Sequence, residues 1–286
     1  MTPSTKTPKT SPSSRRIRAG NLDPATFASF GQVIQNPETH AGEPKLEKAI
    51  ANQGTATKWL GVTQMRNWYE RARSGRVGSA VVNMFVCSPR SLQNVGVDEG
   101  GEGMVFDVRI LERHPFTPQT FVPLGLGRED VKTCYLVIVA PTLPRSRPSG
   151  DGKREPPYPT QTPTKPKRSL KDMLLGARPS PFTNEQVSTT TPPDSGPDEM
   201  HQPKGNGPPD LDNIQAFIAR GDQAVTYGPG TWHAPMVVLG EKPIEFVVVQ
   251  YANGVADEDC QEFPIKEGLI SVDVGGEAGE KVKARL

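Results

Sequence analysis

The sequence predicts a mostly β protein built as a single barrel of antiparallel strands, with a few short helices. Three observations predict this. Runs rich in Val and Ile recur along the chain with turn residues between them. A long proline-rich interval splits these runs into two groups, and neither group has enough strands to close its own edges. Residues 227–235, YGPGTWHAP, then reverse the chain between the strand-like runs 214–219 and 244–251. There Pro229 fixes one φ and Gly230 frees the next.

Taken in order, residues 1–16 are rich in Ser, Thr, Pro, Lys and Arg and contain no acidic residue. That reads as a disordered basic tail, since Pro3, Pro8 and Pro12 oppose the amphipathic helix of a mitochondrial presequence. Order is expected from Ile17. Asp23-Pro24 has the form of an N-cap followed by proline at the first helical position, opening a short helix through Phe30 with Phe27 and Phe30 as core anchors. Residues 32–34 read as a strand, and 35–56 as loop with one helical turn at 46–51. Arg66 and Arg71 fall in a helical stretch with Trp68 and Tyr69. Strands are expected at 58–63, 80–87, 105–111, 120–123 and 134–140. The interval 142–209 contains about half of the 30 prolines, many Ser, Thr, Lys and Gly, and almost no aromatic residues. Such a stretch cannot bury enough apolar surface to offset chain entropy, and only 170–175 suggests a helical turn. The β pattern resumes at Asn213, so the domain is expected over 17–265, interrupted by this insertion, with 266–286 as a C-terminal tail. A long loop costs only logarithmically in closure entropy, which makes it a tolerable decoration between paired strands.

Composition narrows the function. A net charge of +1 over 286 residues provides no field toward nucleic acid or anionic lipid, and aromatic–basic RNA-binding motifs are missing. No apolar run is long enough for a transmembrane helix. Cys87, Cys134 and Cys260 are odd in number and widely spaced, which fits neither zinc spacing nor a disulfide framework. A cytoplasmic protein is expected.

Two segments carry chemistry. His233 stands on the 227–235 turn, and histidine is the residue type best suited to exchange protons under physiological conditions. Residues 111–125, LERHPFTPQTFVPLG, place Glu112, His114 and Gln119 within eight positions. The plain alternatives are a surface histidine at a turn, a histidine closing a strand, an exposed ion pair of Glu112 with Arg109 or Arg113, and a glutamine satisfying a loop carbonyl.

Both segments resemble the paired metal-binding motifs of cupin barrels, with departures. The first has one histidine in place of a His-x-His pair, and the second compresses Pro-x-Gly to Pro229-Gly230. Together with CYLVIVAP at 134–141, IQAFIARGDQAVTYGPGTWHAP at 214–235 and FVVVQYANG at 246–254, the chain resembles the ureidoglycolate lyase family in a fungal form. The resemblance implies a cupin-like (RmlC-like jelly-roll) β-barrel, usually a homodimer. It also implies cleavage of ureidoglycolate, in its (S) form, to glyoxylate and urea in allantoin and purine breakdown. No cofactor is required by the residues themselves, and the resemblance allows a divalent metal, nickel or manganese, on His114 and His233.

That reaction needs a base, an acid and a carboxylate anchor. His233 is read as the base on the hydroxyl, His114 as acid or metal ligand, and Glu112 as its orienting partner. Gln119 matches the mixed donor–acceptor edge of the ureido group. Asn83, Arg90 and Tyr251 are read as substrate-binding residues, with ordinary barrel filling as the alternative for Tyr251. Two other functions compete. One is an amidohydrolase releasing ammonia, which needs a well-defined metal centre. The other is a non-catalytic metabolite-binding cupin whose insertion recruits a partner through stretches such as Pro163-Thr164-Lys165-Pro166.

Overall fold

The computed structural model describes residues 14–40, 46–97, 101–143 and 203–275. Most of the expected basic tail, the body of the proline-rich insertion and the end of the C-terminal tail lie outside the described residues. The architecture is mostly β, with two short α-helices, and no sheet closes on itself among the described residues.

Three sheets stack as layers. The outer five-stranded sheet runs β3 (Gly31–Ile34), β13 (Ala224–Tyr227), β10 (Gln119–Leu124), β16 (Ile244–Ala252) and β6 (Ser79–Cys87). The central sheet runs β17 (Gln261–Pro264), β9 (Ile110–Arg113), β14 (Trp232–His233), β11 (Cys134–Ala140), β12 (Gln215–Ala219) and β2 (Gly20–Asn21), with β15 (Val237–Leu239) also paired to β11. The third sheet runs β1 (Arg15–Arg18), β18 (Ile270–Asp273), β8 (Gly101–Asp107) and β7 (Gln93–Val97).

Strand β11 shows why these residues choose this arrangement. All seven of its residues are buried. Tyr135, Val137 and Val139 face the core shared with the five-stranded sheet, which includes Phe121, Val225 and Phe246. Leu136, Ile138 and Ala140 face a second core with Phe106, Ile270 and Val272 of the third sheet. A strand covered on both faces needs a continuous apolar run, and CYLVIVA supplies one.

The opening helix, α1 (Pro24–Phe27), starts where its sequence requires but gives way to a turn before Phe30: Asp23 Oδ1 accepts from the backbone N–H of Ala25 and Thr26 at 3.0 and 3.1 Å. Such a cap contributes about 1 kcal/mol. Phe27 and Phe30 are buried, with the Phe27 ring edge-on to Phe217.

Several segments depart from the sequence reading. The expected helical turn at 46–51 is strand β4 (Lys48–Ala51), paired with β5 (Ala56–Trp59) in a hairpin. Asn52, Gln53 and Gly54 all take positive φ there, a turn written in Asn and Gly that closes the hairpin. The expected strand at 58–63 accordingly begins and ends earlier. The single run at 105–111 is two strands, because the chain passes from the third sheet to the central one between Asp107 and Ile110. Arg66 and Arg71 do not share a helix. A single 3-10 turn covers Tyr69–Arg71, and both guanidiniums sit over the Trp68 ring, at 3.6 and 4.4 Å. Arg15 and Arg16 already belong to β1, and β18 lies within 266–286 with Ile270, Val272 and Val274 buried. Alternation of the apolar residues in this short segment suits a strand rather than a tail.

Strands β11 and β12, which flank the insertion, pair directly as antiparallel neighbours. The departing and returning chains are bridged at Thr142 and Pro209, and the N–H of Leu143 donates to Pro208 O at 2.9 Å. The three cysteines are free. Among the described residues no helix is long and apolar enough to cross a membrane.

Gly31 pairs with Tyr227 at the start of β3, where a Cβ would run into the backbone carbonyl of Thr226. Gly31→Ala is therefore expected to cost about 2 kcal/mol. Thermal unfolding should show the midpoint falling by about 4–8 °C.

Candidate active site

Strand alternation delivers the polar residues to one place. In β9, Leu111 enters the core beside the third sheet, so Glu112 points to the opposite face of the central sheet. In β14, Trp232 does the same and His233 faces the other way. Glu112 and His233 are direct cross-strand partners, and His233 also pairs with Val139 of β11. Across the gap, Gln119 and Tyr227 are cross-strand partners in the five-stranded sheet. The site thus fills the space between two sheets, with side chains from both.

The turn at 228–231 brings the two sequence segments together through the backbone. Gly230 has φ of 74°, and its N–H donates to the carbonyl of His114 at 2.8 Å. The rings of His114 and His233 are 5.6 Å apart between centroids. The donor atoms of Glu112, His114 and His233 all lie within 4.8 Å of one another.

Each imidazole is oriented by a backbone carbonyl. His114 Nδ1 lies 2.6 Å from Asp259 O and His233 Nδ1 lies 3.0 Å from Thr231 O. A carbonyl only accepts, so both Nδ1 atoms carry protons and each ring turns its Nε2 inward. His114 Nε2 is buried without a hydrogen-bond partner. His233 Nε2 is 3.0 Å from Gln119 Oε1 and 3.5 Å from Glu112 Oε1. Gln119 Nε2 donates to Gln250 Oε1 at 2.7 Å. The two amides can reverse as a pair, so Gln119 can face His233 with its oxygen when Nε2 carries a proton and with its nitrogen when it does not. The His233 ring also lies flat on Tyr227, at 4.0 Å and 12°.

The electrostatics follow from burial and proximity. Burial, then the neighbouring His233, pushes His114 down to about 4, outweighing the Asp259 carbonyl and Glu112. Burial alone would raise the Glu112 carboxyl. The facing His233, then His114, more than offset this and hold it below the usual glutamate value. Two inward Nε2 atoms and one carboxylate form a ligand set that suits a divalent ion. The buried, unpartnered Nε2 of His114 fits that use, and carbonyl-bound Nδ1 atoms are the usual outer support of metal-binding histidines.

The other residues singled out from sequence are placed differently. Asn83 is exposed on β6, two strands away from Gln119 on β10. Arg90 is exposed, with its guanidinium over Phe106 at 5.5 Å. Tyr251 packs against the cluster of Trp68, Tyr69, Ala72 and Phe116, with its N–H on Thr117 Oγ1 at 2.8 Å. The structure therefore brings His114, His233, Glu112 and Gln119 together and leaves Asn83 and Arg90 elsewhere. Sequence reasoning missed Tyr227, Thr231 and Asp259 as neighbours of the imidazoles. The first two stood within the YGPGTWHAP stretch itself, whereas Asp259 acts through its carbonyl, for which no residue type is a signal.

Because His114 stays neutral down to about pH 4 in the fold and takes a proton near 6.5 when unfolded, the unfolded state binds more protons between those values. Its contribution is fully present above pH 6.5 and is lost as pH falls toward 4. The depressed Glu112 acts in the same direction at the acid end. Melting curves of chelator-treated protein should show stability falling over this window, and His114→Asn should flatten the fall.

The ureidoglycolate lyase family matches residues 14–272. Ureidoglycolate lyase of Schizosaccharomyces pombe is 30% identical over 256 residues, spanning 88% of this chain and 95% of that protein. The Saccharomyces cerevisiae protein of the same name is 29% identical over 261 residues, 90% and 97% of the two chains. One from Burkholderia mallei is 25% identical over 243 residues, 85% and 86%. The matched region spans all three sheets and both segments that meet at His114 and His233, so this chain belongs to the ureidoglycolate lyase family.

Proposed function

We propose that the protein is a lyase that splits ureidoglycolate into glyoxylate and urea, using the pocket around Glu112, His114, His233 and Gln119. The observation that carries this reading is the convergence of two inward-facing imidazole nitrogens and a carboxylate within 4.8 Å. The named relatives support the substrate. In the reaction the hydroxyl loses its proton, the carbon–nitrogen bond breaks, the carbonyl of glyoxylate forms, and the departing nitrogen takes a proton to give urea. No electrons leave the substrate, so one proton carrier suffices.

The residues divide the work. Gln119, held by Gln250, offers an amide edge that pairs with the ureido group. His114, with its outer nitrogen committed to Asp259 and its ring neutral near pH 7, has no spare proton to give, which favours the ligand role over the acid role. Nickel or manganese held by Glu112, His114 and His233 would supply Lewis acidity toward a substrate oxygen. Were such an ion held there, both Nε2 atoms would be ligands and Glu112 would be the group left to carry the proton. Without it, His233 Nε2 does so, while the Gln119–Gln250 pair reverses in step.

The finer fold reading, a cupin-like jelly-roll, is supported by the core shared between the central and five-stranded sheets and by the site at its edge. A homodimer is supported by β6. This edge strand has no charge, proline or glycine, and exposes Val82, Met84, Phe85 and Val86. About Asn83 its sequence is apolar on both sides, so two copies can pair antiparallel with Val82 opposite Met84 and Val81 opposite Phe85. The free cysteines agree with a cytoplasmic, reducing setting.

Purified protein incubated with racemic ureidoglycolate should yield glyoxylate and urea in equal amounts, and ammonia in place of urea would sink the lyase reading. Chelation should abolish turnover and nickel or manganese restore it if the Nε2 atoms are ligands, whereas unchanged turnover assigns the proton to His233. His233→Ala should lower kcat by at least about 100-fold in either case. Val82→Lys combined with Val86→Lys should convert a dimer to a monomer in light scattering, and a wild-type monomer at micromolar concentration would exclude the β6 pairing.

A further inference from the structure

The tautomer of His114 depends on one carbonyl, and that carbonyl belongs to the last residue of a single helical turn, α2 (Ala256–Asp259). So short a helix does not fix its end by itself. The fastening comes from the Asp259 side chain. Its Oδ1 accepts from the Tyr69 hydroxyl at 2.6 Å and from the N–H of Asn253 at 2.8 Å, and its Oδ2 accepts from the N–H of Gly254 at 2.8 Å. Tyr69 is fully buried, with its ring tilted against Phe116 at 5.7 Å, two residues beyond His114 in the chain. Burial and the Asp259 carboxylate push its hydroxyl above the ordinary tyrosine range, so it stays a donor.

The neighbouring Glu258 closes the same pair of loops in another way. Its carboxylate accepts from Ser74 N–H at 2.8 Å, Ser74 Oγ at 2.6 Å and Asn253 Nδ2 at 2.7 Å. Glu258 therefore joins loop to loop. Asp259 does this and also turns its own carbonyl toward the imidazole. From this division we infer that Tyr69 and Asp259 are positioning residues of the active site, clamping the Asp259 carbonyl so that the His114 lone pair stays at Nε2, inside the pocket. The inference rests on the reading of His114 as a site residue. Neither Tyr69 nor the Asp259 carboxylate is given any contact with substrate.

The test uses full-length protein labelled at histidine and freed of metal by chelator, with the ring 15N and Cδ2 shifts of His114 reporting its tautomer and His114→Gln identifying its signals. Wild type should show the Nδ1–H form. Tyr69→Phe, which removes only the hydroxyl, and Asp259→Asn should fold, show a mixture of tautomers, and lose about 10-fold in kcat with KM little changed. Ser74→Ala, which loosens the same loops through Glu258, should lower the melting temperature while leaving the tautomer and kcat alone. The inference is overturned if folded Tyr69→Phe keeps the wild-type tautomer, whatever its kcat. It is overturned equally if Ser74→Ala shifts the tautomer as much as Tyr69→Phe does. Should Asp259→Asn fail to fold, Tyr69→Phe decides alone. If wild type does not turn over ureidoglycolate, the proposed function fails while the tautomer measurement still decides the positioning role.

Discussion

Two hydrogen bonds of fixed polarity govern this site. A main-chain oxygen can only accept, so placing one against the outer nitrogen of each imidazole determines where each proton resides and which nitrogen looks inward. Everything chemical about the pocket follows from that choice. Reversing either ring would turn a lone pair outward and bring an N–H into a space that already holds a carboxylate and another imidazole. Main-chain oxygens do not titrate, so each stays an acceptor at any pH, and the Asp259 carboxylate holds one of them in place.

The layered fold is what allows such a polar cluster to be buried. Strands of the central sheet alternate between two apolar cores, so a polar residue at every second position can be gathered on one side without disrupting the other. Leu111 and Trp232 keep one core intact while Glu112 and His233 reach the opposite face. The five-stranded sheet completes the enclosure with Gln119 and Tyr227. Rigidity comes from the sheets, and the loops at 67–76 and 253–259 supply the fine adjustment.

Much of this was legible in the sequence because its causes are local. CYLVIVA is apolar at every position and is a strand buried on both faces. Asp23-Pro24 opens a helix, and the Pro229-Gly230 turn sits beside His114 as well as His233. What stayed hidden depends on contacts between residues distant in sequence. The hairpin at 48–59 has weak alternation and declares itself only by the backbone of Asn52 to Gly54. Arg90 was a reasonable anion anchor by residue type, but its guanidinium lies over the Phe106 ring. Asp259 works through an atom that every residue possesses, so no reading of side chains would single it out.

The limb that returns from the insertion does more than rejoin the sheet. Lys204 N–H bonds to Pro229 O, Arg113 donates to the carbonyls of Gly205 and Gly207, and the Trp232 indole donates to Gly207 O. Those bonds make the stretch a mechanical tether fastened to the very bend that carries the second imidazole. The length of the inserted sequence can drift without disturbing strand register, because the bridge at Thr142 and Pro209 isolates β11 and β12 from it. Tension is a different matter: a pull on the chain just before Lys204 loads the bend directly, so the insertion is free to vary in size but not in how it ends.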